Sequence, residues 1–183
     1  MYLTQPLHRA LQQKPDSLAA IDGSGRWTFR EHVGRIARLA GALRGLGVKP
    51  GDRVAMYAAN SGRYLEYLMA VPWADAVLVP VNTRWSIAEI GDSLIDAGAE
   101  ILLVDETYAH AVAALREHCP LLRHVIYCGK GGDAGWIDYE GLIEGAEPVA
   151  DARRGGDALA ALFYTGGTTG RSKGVMLSHA NLM

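Results

Sequence analysis

With 183 residues, 49% of them hydrophobic and 21% charged, and a formal net charge of −2, the chain has the composition of a globular protein able to bury a sizeable core. That balance excludes a disordered linker, and the basic residues are scattered rather than clustered, so no nucleic-acid partner is expected. No apolar run reaches the length of a membrane-spanning helix and the first fourteen residues carry no leader pattern, so we expect no transmembrane segment and a cytoplasmic location.

Taken in order, Leu3, Leu7, Ala10 and Leu11 fall on one helical face, and Pro15-Asp16 ends that helix. Residues 17–21 read as a short strand, turned by Asp22-Gly23-Ser24-Gly25. Thr28 and Glu31 spell a capping box, in which the two side chains satisfy unpaired amides at a helix start. Val33, Ile36, Ala37, Ala40 and Leu43 then keep helical spacing as far as Gly45. From there the pattern alternates: strand 54–58, helix 64–71 ended or kinked by Pro72, strand 77–81, and a helix capped by Ser86 and Glu89. Strand 101–104, helix 107–116 and strand 124–127 follow. Short, almost wholly apolar β-runs separated by helices predict an α/β fold, a mainly parallel sheet with helices on both faces. Residues 129–154 read as a solvated connector with a turn at Gly131-Gly132-Asp133, local packing over Trp136 to Leu142, and the small charge pair Arg153-Arg154. Residues 159–164 form a buried strand, 175–177 a second one, and a helix begins near Ser178.

Cys119 and Cys128 match no disulfide framework or zinc spacing and read as reduced, inert thiols. The six histidines are dispersed without an i, i+4 pair, so no tight metal site is expected.

The stretch that carries chemistry is Tyr164-Thr165-Gly166-Gly167-Thr168-Thr169-Gly170-Arg171-Ser172-Lys173-Gly174-Val175. Clustered glycines let successive backbone N–H groups converge on an anion, the threonines add hydroxyl donors, and Lys173 brings a flexible point charge suited to phosphate. A Walker A loop would place the Lys at the head of a helix, whereas here strand-like residues follow it. A dinucleotide fingerprint of the G-x-G-x-x-G type occurs nowhere in the chain. Gly170-Arg171-Ser172-Lys173-Gly174 does fit the G-x-S-x-G elbow of serine hydrolases. That elbow needs a strand running straight into Ser172 and a helix straight after it, and neither is expected. A polyphosphate cradle is the better reading, with a serine hydrolase using Ser172 as the alternative from another class.

The same stretch resembles the phosphate-binding signature of the adenylate-forming (acyl-CoA synthetase, AMP-binding) superfamily, approximately [YF]-T-S-G-T-T-G-x-P-K-G-V. Tyr164, Thr165, Gly167, Thr168, Thr169, Gly170, Lys173, Gly174 and Val175 match it, while Gly166 replaces the usual Ser and Ser172 the usual Pro. Ser178-His179-Ala180-Asn181, the turn from Lys49 through Val54, Asn60-Ser61, and the run from Val79 through Arg84 also resemble superfamily sequence. Asp75 stands where relatives commonly carry Gly, and Asp tolerates the left-handed backbone that a helix end often needs.

The resemblance implies a two-step reaction. A carboxylate attacks the α-phosphorus of ATP and expels pyrophosphate, and a thiol, most often that of coenzyme A, then displaces AMP from the acyl-adenylate. It implies that Thr165, Gly166, Gly167, Thr168, Thr169 and Gly170 wrap the β- and γ-phosphates, that Lys173 neutralises them, and that Thr165 lies near the phosphate-bound Mg²⁺. The substrate would be a fatty acid, with an aryl-CoA ligase or a peptide-synthetase-type adenylation domain as the alternative. Residues 1–183 would form the N-terminal portion of an AMP-binding domain, inactive alone, with its C-terminal subdomains outside this sequence.

Overall fold

The computed structural model describes residues 1–23, 25–166 and 172–183. Helix α1 (Gln5–Gln13) leads into the hairpin β1 (Leu18–Asp22) and β2 (Gly25–Thr28), then α2 (Phe29–Gly45). The capping box at Thr28 is formed: the Thr28 N–H donates to Glu31 Oε2 at 2.8 Å, and Glu31 N–H donates to Thr28 Oγ1 at 3.3 Å. The alternating part follows as β3 (Arg53–Tyr57), α3 (Gly62–Trp73), β4 (Val77–Pro80), α4 (Ile87–Ala97), β5 (Ile101–Val104), α5 (Val112–His118) and β6 (His124–Tyr127). The chain closes with β7 (Ile137–Asp138), α6 (Tyr139–Glu144), β8 (Leu159–Thr165), β9 (Lys173–Ser178) and α7 (His179–Leu182).

Among the described residues β3 to β9 form one seven-stranded sheet in the order β7-β6-β5-β3-β4-β8-β9. Every neighbouring pair is parallel except β8 with β9, which is antiparallel. Alternate strand residues explain the unbroken apolar runs, because both faces are covered. Val54, Met56, Leu78, Ile101, Leu103 and Ile126 pack with α2, α3 and α6 on one face. Ala55, Tyr57, Val79, Leu102, Val104 and Val125 pack with α4 and α5 on the other. The mainly parallel α/β architecture expected from the sequence is therefore present, with one antiparallel edge.

Two local expectations change, at Pro72 and over 107–116, and the one for Asp75 is met. Helix α3 runs through Pro72 and stops at Trp73, because a proline in the last turn removes a single donor from a helix that is ending anyway. Asp75 then takes the left-handed conformation, with φ 69°, and Arg154 grips its carboxylate through two hydrogen bonds of 2.8 and 2.7 Å. The helix expected over 107–116 instead opens as a 3-10 turn, Ala109–Ala111, before α5. The Asp105 carboxylate accepts from Thr107 and Tyr108 and holds the preceding loop.

The largest correction concerns 129–154, which is no solvated connector. It contributes β7 and α6, buries Tyr139 and Ile143, and then crosses α2. Arg38 donates to Ala146 O at 2.7 Å, Val149 N–H to Ala37 O at 3.1 Å, and the Trp73 indole to Val149 O at 2.8 Å. At the crossing, a Cβ built on Gly41 would overlap the Glu147 carbonyl oxygen. We expect Gly41→Ala to lower stability by about 1–3 kcal/mol through this overlap, although Ala is the better helix former. A urea midpoint equal to or above that of the parent protein would sink this account.

The two ends of the sequence meet in a seam. Thr4 Oγ1 and His8 Nε2 both contact Asp151 Oδ2 at 2.6 Å, and His8 stacks on Trp73 with 5.1 Å between ring centres. The Leu3 N–H donates to Nδ1 of buried His179 at 3.4 Å. Burial pulls the His179 imidazole below its ordinary pKa, in keeping with an accepting ring nitrogen.

Candidate functional site

Strand β8 is parallel to β4, so it delivers Thr165 to the same edge of the sheet as the carboxyl ends of β3 to β6. Open α/β sheets bind ligands at that edge, where loops leave towards opposite faces. The β8–β9 register pairs Tyr164 with Gly174 and Thr165 with Lys173. Directly opposed residues share a sheet face with Cβ atoms roughly 5 Å apart. The Thr165 hydroxyl and the Lys173 stem therefore stand side by side at the mouth of the hairpin, both exposed. Gly166 follows, also exposed; its φ is an ordinary one and, among the described residues, a Cβ there would meet nothing within 4 Å. No described residue obstructs a Ser here; the departure from the family pattern subtracts a hydroxyl and leaves the backbone donor in place.

Of the predicted cradle residues, the structure brings Thr165, Gly166 and Lys173 together, and Gly167, Thr168, Thr169 and Gly170 lie outside the described residues. Ser172 lines an open cleft of about 280 Å³ with Asp92, Ile95 and Asp96 of α4. Strand β9 begins at the next residue, so the helix that a nucleophile elbow requires is not formed after Ser172.

Two other open clefts lie at the carboxyl ends of the strands. One, of about 480 Å³, is lined by residues including Asn60, Tyr64, Asn82, Thr83 and Tyr108; the other, of about 590 Å³, by residues including Asn60, Ser61, Arg63, Glu106 and Lys130. The two segments singled out by resemblance, Asn60-Ser61 and the run through Asn82 and Thr83, thus converge. Ser61 also has a structural task, accepting from Tyr64 N–H at 3.2 Å as the cap of α3. Sequence reading missed Asp105, whose carboxylate accepts from Ala59 N–H at 2.7 Å and ties the loop after β3 to the loop after β5. An aspartate just past a strand carries no distinguishing signal. It also missed the contact of Tyr164 with Asp96, which joins residues 68 positions apart.

Neither cysteine is suited to chemistry. Both are buried and unbridged, and burial pushes both thiols above their ordinary range. Among the described residues no group of three or more His, Cys, Asp or Glu could hold a metal ion, and no helix is long and apolar enough to cross a membrane.

Comparison with known proteins completes the picture. The chain is 41% identical over 177 residues to a feruloyl-CoA synthase of Amycolatopsis sp., covering 97% of this chain and 33% of that protein. It is 40% identical over 159 residues to a long-chain-fatty-acid–CoA ligase of Thermus thermophilus, covering 86% of this chain and 29% of that one. It superposes on the crystal structure of the anthranilate CoA ligase AuaEII in complex with anthranoyl-AMP with a TM-score of 0.91 at 25% identity, over 98% of this chain and 35% of that one. The chain spans about a third of the length of these relatives. Residues 7–183 match the family described as AMP-binding enzyme. With the hairpin motif, the parallel sheet and that match agreeing, the chain belongs to the AMP-binding, adenylate-forming enzyme family.

Proposed function

We propose that the protein is an ATP-dependent acid–thiol ligase, which joins a carboxylic acid to AMP with release of pyrophosphate and then transfers the acyl group to coenzyme A. The observation that carries this reading is the register of the hairpin, which sets Thr165 opposite Lys173 at the ligand-binding edge of the sheet. Thr165, Gly166 and Lys173, with Gly167, Thr168, Thr169 and Gly170 of the same motif, are assigned to the β- and γ-phosphates. Fixed donors and a cation there stabilise the charge that grows on the leaving pyrophosphate. The Thr165 hydroxyl is a hard oxygen ligand, and Mg²⁺ prefers phosphates and water to an all-protein cage, so the residues present fit a metal that arrives on the nucleotide. When bound, that ion offsets phosphate charge. In this reading residues 1–183 supply the phosphate-gripping part of an adenylate-forming domain, in a cytoplasmic enzyme.

For the acid, an aryl carboxylate is better supported than the fatty acid first favoured from the sequence. The feruloyl-CoA synthase aligns over more of the chain than the fatty-acid ligase does, and an anthranilate ligase superposes with a TM-score of 0.91. Thioester formation by the full-length protein with ferulate, benzoate, anthranilate and palmitate tests both levels. We expect an aryl acid to exceed palmitate in kcat/KM by at least about tenfold, the discrimination that ~1.4 kcal/mol of differential binding gives. Activity with palmitate alone overturns the aryl assignment. Absence of ATP–pyrophosphate exchange with every acid of a broad panel overturns the ligase reading.

A further inference from the structure

We propose that Asp96, acting through Tyr164, is a positioning residue that aims the phosphate-gripping hairpin. The proposal deepens the ligase reading and rests on it for the identity of the nucleotide. Tyr164 is the last residue but one of β8, and its hydroxyl donates to Asp96 Oδ2 at 2.6 Å. Its ring lies over its register partner: a Cβ on Gly174 would stand 3.0 Å from Tyr164 Cζ and 3.2 Å from its Cε1 and hydroxyl oxygen. The glycine thus leaves the space through which the ring crosses β9 to reach α4. Burial and the Asp96 carboxylate both push the phenol above its ordinary pKa, so it stays a donor.

The end of α4 is a braced platform for this contact. Arg53 of β3 donates to Ala97 O and Gly98 O, the latter at 3.1 Å. One turn earlier, Asp92 meets His118 Nε2 of α5 at 2.8 Å. Successive strand residues face opposite sides, so fixing the Tyr164 ring on the α4 side turns Thr165 and its partner Lys173 to the other side. It also sets the peptide plane that presents the Gly166 N–H. Both members of the pair lie outside the core: Asp96 is exposed and Tyr164 half-buried. The contact therefore serves the direction of the hairpin rather than the integrity of the fold.

The test is a double-mutant cycle of Tyr164→Phe and Asp96→Ala, with Asp96→Asn as the conservative variant. The full-length protein is used throughout: MgATP affinity is read by titration calorimetry, and amide exchange at residues 164–166 and 172–174. We expect each single change to weaken MgATP binding about tenfold, the loss typical of a hydrogen bond to a charged group. The double variant should be no weaker than either single one. Asp96→Asn, which keeps an acceptor oxygen, should recover most of the affinity, and melting temperatures should stay near that of the parent. Parental affinity in Tyr164→Phe, or additive losses in the double variant, overturns the proposal. A parent that does not bind MgATP overturns the nucleotide reading instead. In that case, faster exchange around Thr165 and Lys173 in both single variants still supports the positioning role, and unchanged exchange refutes it.

Discussion

In the full-length protein, replacing Lys173 with Ala is expected to lower ATP–pyrophosphate exchange by about 10²–10³-fold, the loss seen when one preorganised charge-stabilising donor is removed. Lys173 opens β9 opposite Thr165 and is exposed, so its truncation removes no core contact. Stability should change by less than about 0.5 kcal/mol, as for surface positions generally. This separation of activity from stability makes the experiment decisive. Lys173→Arg keeps the charge but substitutes a planar fork for a compact ammonium, and should retain only part of the rate. Wild-type exchange in Lys173→Ala at saturating MgATP would falsify the phosphate role.

The second large effect is expected far from the hairpin, in a buried ionic cluster. Glu66 of α3 is 2% exposed. It accepts from Arg35 Nε at 2.5 Å, from a second Arg35 nitrogen at 3.1 Å and from the Tyr139 hydroxyl at 2.6 Å. Arg35 also reaches Glu140 Oε2 at 2.8 Å and lies against the Trp27 ring. Removing Arg35 leaves a buried carboxylate facing only the Tyr139 hydroxyl and, at 3.7 Å, the His32 ring. Breaking such a pair from one side costs about 3–5 kcal/mol. For a chain of this size, Arg35→Ala should therefore melt roughly 10 °C or more below the parent. The triple change Arg35→Met, Glu66→Met and Tyr139→Phe removes the buried carboxylate together with its hydrogen-bonded partners and should recover most of that loss. If the triple variant is the worst of the series, the cluster stabilises in some other way.

The same cluster sets a pH limit. Burial raises the Glu66 carboxyl, but contacts with His32, Arg35 and Tyr139 outweigh it and leave the pKa below its usual value of 4.5. A carboxylate whose native pKa is depressed contributes stability that is complete above its unfolded pKa and lost as pH falls through the native one. Denaturant midpoints should thus hold down to about pH 4.5 and fall below it, more steeply in the parent than in the triple variant.

How much of this was legible in the sequence differs by region, for physical reasons. Strands such as Ile101–Val104 and His124–Tyr127 were read to the residue, because a strand buried on both faces must be apolar throughout. The capping boxes at Thr28 and Ser86 were equally plain, since a helix start is specified by side chains three residues apart. Asp75 was read correctly as a left-handed position. The 129–154 region was misread because its buried residues, Tyr139 and Ile143, sit on a six-residue helix too short to show a period. Several of its other attachments are made by its backbone, as where Ala146 O accepts from Arg38 and Val149 N–H donates to Ala37 O, and on these sequence patterns are silent. At the site, the motif could name Thr165 and Lys173, but only the hairpin register shows that they stand opposite each other. Asp96 has no marker at all, because its role depends on where α4 ends relative to β8.

The seam between Leu3, Thr4 and His8 on one side and Asp151 and His179 on the other has a consequence for how the molecule is made. Its partners are separated by up to 176 positions, so it closes one of the widest possible loops in the chain, and such distant pairings are slow to find. During synthesis at ~5–20 residues per second, the first helix must wait on the order of ten seconds before its acceptors leave the ribosome. For that interval the apolar side of α1, with Leu7 and Leu11, can rest only on α2, and its links to Asp151 and His179 stay open. Nascent chains at this stage are therefore the form most in need of chaperone cover.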